Sequence, residues 1–170
     1  MTRKELEGIV TRFMDSFTTM TLVCSLDDRP WAAAVYYARQ GLDLIFFSSS
    51  NSRHSMIFAH NGRAAAAIHG DYKGWKEIKG LQMEGTVAPI TGTVAKARAL
   101  TAYLKRYPFA KEFFTVPAAI SPGVALKITN LGLYIFRPEN IRYLDNEPGF
   151  GTRWKLEIVD GKPVGEPVLD

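Results

Sequence analysis

The spacing of hydrophobic and polar positions changes several times along the chain, and each change marks an element. Over residues 3–17 the apolar side chains Leu6, Ile9, Val10, Phe13, Met14 and Phe17 recur at three- and four-residue steps, which predicts an amphipathic helix. The period then falls to two. Residues 19–26 (TMTLVCSL) and 31–38 (WAAAVYYA) read as strands, and the turn chemistry of Asp27-Asp28-Arg29-Pro30 makes them a hairpin. Arg39-Gln40-Gly41 turns the chain into a third strand over 43–48, after which serines and an asparagine replace the apolar run. Helical spacing resumes at Met56, Ile57 and Phe58, with Ser52 placed as N-cap and Asn61-Gly62 as C-cap.

Residues 64–69 (AAAAIH) lie in a short run between Gly62 and Gly70, which favours a buried strand over the helix that alanine propensity alone would support. Residues 71–75 read as a loop and 76–90 as a long strand, with Gly80 and Gly85 where bulges or bends belong. Thr93–Arg106 is predicted to be a helix carrying Val94, Ala97, Leu100 and Leu104 inward and ended by Tyr107-Pro108; a short helix over 109–114 follows. Strands return at 124–136, 141–144 and 154–159, the last two separated by NEPGFGTRW (146–154) with its glycines at 149 and 151. The tail, 160–170, is acidic and rich in proline and glycine, and is expected to be mobile or draped over the surface. No repeat or linker divides the chain, so residues 1–170 read as one domain. Six to seven hairpin-linked strands with peripheral helices give the fold class α+β, an antiparallel barrel.

Composition narrows the function classes. Hydrophobic residues at 46% and charged residues at 22% are ordinary for a globular protein. The single cysteine, Cys24, excludes an internal disulfide framework, fits a reducing cytoplasm, and reads as a buried inert thiol. The N-terminus is charged throughout and lacks a signal-peptide core, and no run approaches the ~18 apolar residues of a membrane span. Residues 1–144 carry 18 Lys+Arg against 11 Asp+Glu, whereas 145–170 carry 3 against 6. The basic body, with pI about 9.2, could mean nucleic acid, and an anionic small ligand explains it equally well. Its cations are scattered and no standard nucleic-acid motif is present, which argues against nucleic acid.

The chemistry concentrates between Leu44 and Asn61. A helix capped by Ser52 turns the free N–H groups of Arg53, His54 and Ser55 toward the end of a strand lined by Ser48, Ser49 and Ser50, an anion-binding corner suited to phosphate. Arg53 sits against the positive end of the helix dipole, an unfavourable place unless an anion neutralises it. A capped serine loop with Arg53 and His54 in solvent is the competing reading. The alanines of 31–38 mark where a flat ligand approaches the backbone, or where a helix or dimer partner packs closely. His69 has no second ligand at suitable spacing, so no metal site is expected. Glu84 reads as an exposed strand carboxylate, and no catalytic residue is assigned.

The segments TLVCSLDDRPWAAAVYY, LDLIFFSSSNSRHSMIFAHNGRAAAAI and GLQMEGTV resemble the pyridoxamine 5′-phosphate oxidase-like, FMN-binding split-barrel family over about residues 18–144. The ending DNEPGFGTRW is similar to that of its small bacterial YhbP-type subgroup. The resemblance implies a split β-barrel holding FMN. Ala33, Ala34, Val35 and Tyr36 would lie along the isoalloxazine ring, and Phe47, Ser48 and Ser49 along the ribityl chain and phosphate. Ser52 and Arg53 match the phosphate-binding serine and arginine. His54 stands where the family enzyme commonly has lysine, and Ala33 and Ala38 stand where the true oxidase has basic residues, so pyridoxamine phosphate oxidation is not expected. The resemblance also implies a homodimer with flavin at the subunit interface. The surplus of aromatics on the strands (Trp31, Tyr36, Tyr37, Phe46, Phe47) points the same way. Gln82 and the Gly149–Trp154 loop, with Phe150 and Trp154, are expected to reach the partner's flavin. The readings are thus an FMN oxidoreductase acting on a small-molecule substrate or electron donor, a non-catalytic flavin, heme or deazaflavin carrier, and a ligand-free interaction protein whose basic face binds nucleic acid.

Overall fold

A computed structural model describes residues 1–111 and 131–170. Its first helix, α1 (Arg3–Ser16), starts where Thr2 and Glu5 cap each other: the Thr2 N–H donates to Glu5 Oε2 at 2.7 Å and the Glu5 N–H to Thr2 Oγ1 at 3.3 Å. Leu6, Val10 and Met14, one stripe at four-residue steps, are wholly buried.

The strands are β1 (Thr19–Leu26), β2 (Arg29–Gln40), β3 (Asp43–Ser49), β4 (Arg63–His69), β5 (Lys79–Pro89), β6 (Leu131–Asp145), β7 (Arg153–Val159) and β8 (Lys162–Leu169). They form an antiparallel sheet in the order β3-β2-β1-β4-β5-β6-β7-β8, and an additional β3–β6 pairing closes its first six strands into a barrel. The fold is therefore α+β, a split β-barrel with peripheral helices. Its interior holds Tyr37, Phe46 and Phe136 at 0% exposure, together with the α1 stripe and Ile57 and Phe58 of α2 (Arg53–His60). Burying Tyr37 and Phe46 inside one barrel leaves Trp31 and Tyr36 as the exposed aromatic side chains of β2.

The strand expected over 76–90 begins at Lys79, because Trp75–Glu77 instead forms a 3-10 turn. Asn146, buried, donates from Nδ2 to the Trp75 carbonyl at 2.9 Å and holds that turn in place. The segments read as separate strands at 124–136 and 141–144 belong, from Leu131 onward, to one continuous strand; residues 124–130 lie outside the described residues. Pro138 is tolerated within it because the β5–β6 register shifts there: Gly85 faces Pro138 while Glu84 faces Asn140, leaving Glu139 as the extra residue. Gly85 is required at that bulge, since a Cβ would strike the Arg137 carbonyl. The tail from Asp160 forms β8, turned back on β7 by Asp160 and Gly161, with φ of 51° and 73°.

Helix α3 (Thr93–Arg106) packs on the outside of β2, β3 and β6, but not through the expected face. Ala99 and Tyr103 are buried, with Tyr107 and Ala110 continuing the contact against Ala38, Ile45 and Ile135. Val94 is 75% exposed, Ala97 is exposed, and Leu100 and Leu104 are only half-buried. Aromatic packing sets the rotation: Tyr103 meets Phe47 edge-on at 4.7 Å. In place of the short helix expected over 109–114, Pro108–Lys111 forms a 3-10 turn, and residues 112–114 lie outside the described residues.

Candidate functional site

The pairing of β2 with β3 stops partway along both strands. They pair only from Tyr37↔Phe46 to Gln40↔Asp43; β3 then carries Phe47, Ser48 and Ser49 across to pair with Leu133, Gly132 and Leu131 of β6. Residues Arg29–Tyr36 consequently pair with β1 alone among the described residues, leaving one edge of their peptide groups without a strand partner. At the far side of this split, the end of β3 runs into α2.

That junction is a compact polar cluster. Ser52 caps α2, accepting from the Ser55 N–H at 3.3 Å, as its position before the apolar arc predicted. Asn61, expected to close the helix with Gly62, does so in extended backbone: its N–H bonds the Ile57 carbonyl and its side chain donates to the Ser25 carbonyl at 3.0 Å. Ser48 Oγ lies 2.9 Å from Ser52 Oγ and 2.6 Å from His54 Nε2; Ser55 Oγ donates to Ser48 Oγ at 3.1 Å. Ser48 and Ser55 are buried, and every one of these hydroxyls finds a partner, as buried polar groups require. Burial alone holds the His54 imidazole below its ordinary range, which favours the neutral ring. The cluster thus offers hydroxyls and helix N–H groups.

Arg53 points elsewhere along the helix. Successive residues of an α-helix are turned by about 100°, which separates Arg53, Ile57 and His60 from His54 and Phe58. The Arg53 guanidinium lies over the Trp31 ring at 4.5 Å from its centroid, while His54 meets Phe58 edge-on at 6.1 Å. The side chain is exposed and makes no ion pair among the described residues.

The second strand divides its expected ring contacts between two faces. Val35 belongs to the interior and Ala33 is half-buried on the same side; Ala34 and Tyr36 face outward, Tyr36 at 49% exposure. Tyr36 is bracketed by Tyr107 at 5.5 Å and Phe109 at 5.9 Å, so an aromatic wall stands beside the split. Gln82 shares the outward row Ala34–Thr21–Ala67–Gln82, three strand spacings or about 14 Å from Ala34. Trp154 packs half-buried against the barrel core, and Phe150, 83% exposed, meets Trp75 edge-on at 5.9 Å. One chain therefore brings Ser48, Ser52 and His54 together, with Arg53 beside them, and leaves Gln82, Phe150 and Trp154 on other parts of the surface. Two participants were not singled out from sequence for these roles. Ser55 could have been found as the third helical position facing its own cap; Trp31 gave no local signal, because its contact with Arg53 spans two elements. Among the described residues no group of three or more His, Cys, Asp or Glu could hold a metal ion, and no helix is long and apolar enough to cross a membrane.

No family model matches the sequence. A UPF0306 protein of Klebsiella pneumoniae is 24% identical over 157 residues, covering 90% of this chain and 95% of the relative. One from Photorhabdus laumondii is 27% identical over 150 residues, covering 85% and 91%, and a Salmonella schwarzengrund UPF0306 protein named YhbP is 26% identical over 125 residues, covering 72% and 74%. Among solved structures, a heme binding protein from Mycobacterium smegmatis superposes with TM-score 0.67 at 19% identity, over 89% of this chain but only 57% of its own. A Listeria innocua protein described as a candidate pyridoxamine 5′-phosphate oxidase gives 0.61 at 19% identity, covering 82% and 98%. A FAD-binding protein from Mesorhizobium loti gives 0.60 at 16% identity, covering 79% and 90%. The sequence relatives are thus UPF0306 proteins, and the structural likeness is one of fold: the split barrel, shared with proteins described by flavin and heme.

Proposed function

We propose that the protein binds a flavin, FMN, in the split between β2 and β3 and serves as an FMN-dependent oxidoreductase other than pyridoxamine phosphate oxidase. The observation that carries this reading is the junction of a polar corner with a strand edge that has no strand partner among the described residues. The peptide groups of Arg29–Tyr36 offer donors and acceptors to the rim of a planar ring, and small Ala34 leaves room beside them. The split ends at the Ser48–Ser52–His54 cluster and the N-terminus of α2, a fitting receiver for a phosphate, with Arg53, which makes no ion pair among the described residues, within the same turn to supply charge. Bound there, FMN would supply hydride and electron transfer; the chain holds, orients and shields it, and no side chain is assigned as acid or base.

The outward faces of β2, β1 and β4 carry Ala32, Ala34, Thr21, Val23, Ala65 and Ala67 in register, a flat surface suited to a second copy. In this reading the working unit is a homodimer whose partner brings Gln82 and the Phe150 and Trp154 region to the flavin. Heme is the weaker alternative, because an axial ligand from His54 would have to give up Nε2, already bonded to Ser48 and Ser52. Titration of apo protein with FMN, riboflavin and heme, followed by absorbance and fluorescence, tests the assignment. FMN should bind at least about tenfold more tightly than riboflavin, the worth of one charge-assisted contact. Equal affinities would remove the phosphate corner from the reading, and heme bound in preference to FMN would replace the cofactor.

A further inference from the structure

Arg53 is the first residue of α2, next to the cap Ser52, yet its guanidinium lies over the Trp31 ring of β2 and not at the serine corner. Two features of the corner account for that choice. Its own polar atoms are engaged with one another: Ser48 Oγ, Ser52 Oγ, Ser55 Oγ and His54 Nε2 are linked at 2.6–3.1 Å. The positive end of the α2 dipole stands there too, and it disfavours a further positive charge. Nor does a carboxylate claim the guanidinium. Arg39, Arg63, Arg106, Arg137 and Arg142 each face one. Asp27 lines the same hollow beside α2 as Arg53, but no ion pair joins the two. The indole face, the best of the aromatic rings for a cation, is what holds the side chain.

We propose that Trp31 is a positioning residue that competes with phosphate for Arg53: its ring holds the guanidinium away from the serine corner, and a phosphate seated at the corner draws it off. The inference rests on the flavin reading for its ligand and goes beyond it by giving Arg53 two alternative partners and Trp31 control over affinity. The exposed side chain moves between them by changing rotamer, with no change of backbone. A charge-assisted contact to phosphate is worth about tenfold to a hundredfold in affinity and an exposed cation–π contact about two- to fivefold. Phosphate therefore wins, and the ring subtracts its own smaller factor from the gain. Riboflavin, which brings no phosphate, leaves Arg53 on the ring.

The test is a double-mutant cycle on the full chain. Calorimetry measures FMN and riboflavin affinity in the wild type, Trp31→Leu, Arg53→Ala and the double variant; Trp31 is 38% exposed, and circular dichroism checks that each variant folds. Trp31→Leu should tighten FMN binding about two- to fivefold and leave riboflavin unchanged, with Trp31→Phe in between. In the Arg53→Ala background the same substitution should change nothing, an outcome that a packing role for Trp31 would not produce. A second measurement does without Trp31→Leu. Inorganic phosphate should shift the tryptophan emission of the wild type, and the shift should be absent from Arg53→Ala and from Trp31→Phe, which keeps Trp75 and Trp154. FMN binding that is weaker or unchanged in Trp31→Leu, or a gain that survives Arg53→Ala, overturns the competition and leaves the flavin reading standing. A phosphate shift that needs both residues, in protein that takes no flavin, keeps the competition and overturns the flavin reading. Absence of both FMN binding and the phosphate shift overturns both.

Discussion

Arg106, the last residue of α3, closes the last turn of α1, which has no basic residue of its own. Its guanidinium donates to the Asp15 carbonyl at 3.2 Å and to the Phe17 carbonyl, its Nε donates to Tyr107 Oη at 3.0 Å, and it lies 3.6 Å from the Asp15 carboxylate. With the side chain 21% exposed, Arg106→Met keeps the packing and removes the charge-assisted bonds at a helix C-terminus. Loss of those bonds costs about 1.5–3 kcal/mol, and loss of the dipole interaction about 0.5 kcal/mol; because the carbonyls are partly solvated, about 2–3 kcal/mol is the expected total. For a chain of this size each kcal/mol lowers Tm by about 2–4 °C, so calorimetry at fixed protein concentration should show a fall of about 5–10 °C. The acid side of the stability profile separates Arg106 from its neighbour. The Asp15 carboxyl is held below its usual range chiefly by its hydrogen bond with Arg39. A depressed carboxyl stabilises the fold above its unfolded pKa, and that contribution disappears as pH falls through the folded value. It should persist in Arg106→Met and vanish in Arg39→Met. A Tm change under about 2 °C in Arg106→Met would falsify the clasp between α3 and α1.

Three further outcomes follow from the proposed site. Arg53→Ala should weaken FMN binding about tenfold to a hundredfold while changing apo stability by only about 1 kcal/mol, the scale of an exposed cation–π contact; fluorescence titration beside a melting curve reads both. Ala34→Leu should exclude the flavin with only a modest loss of stability, since Ala34 is exposed; a variant that unfolds while its folded fraction remains yellow would assign the alanines to packing. Sedimentation of dilute protein should give twice the chain mass of 19.0 kDa, and a monomer that binds one FMN tightly would refute both the dimer and the shared site.

The legible parts of this fold are those fixed within one turn of chain. Ser52 announces its helix by position, Gly85 announces its bulge, and the stripe of α1 is readable because Leu6, Val10 and Met14 are large and regularly spaced. Asp160-Gly161 was legible too: it is a favoured hairpin dipeptide, and a reading that weighed φ > 0 over the prolines that follow would have found β8. The rotation of α3 was not, because Tyr103 is drawn inward by Phe47, a partner on another element, whereas Val94 and Ala97 remain exposed. The same limit governs the site. That Ser48, Ser52 and His54 converge was readable because they are within six residues of one another. Where β2 loses β3 depends on β3 finding β6, across 80 residues and more of sequence, and no local pattern encodes that exchange. Arg53 shows both limits at once. Helical geometry already separates it from His54, but only the hairpin, arriving with Trp31, decides that its guanidinium lies over that ring.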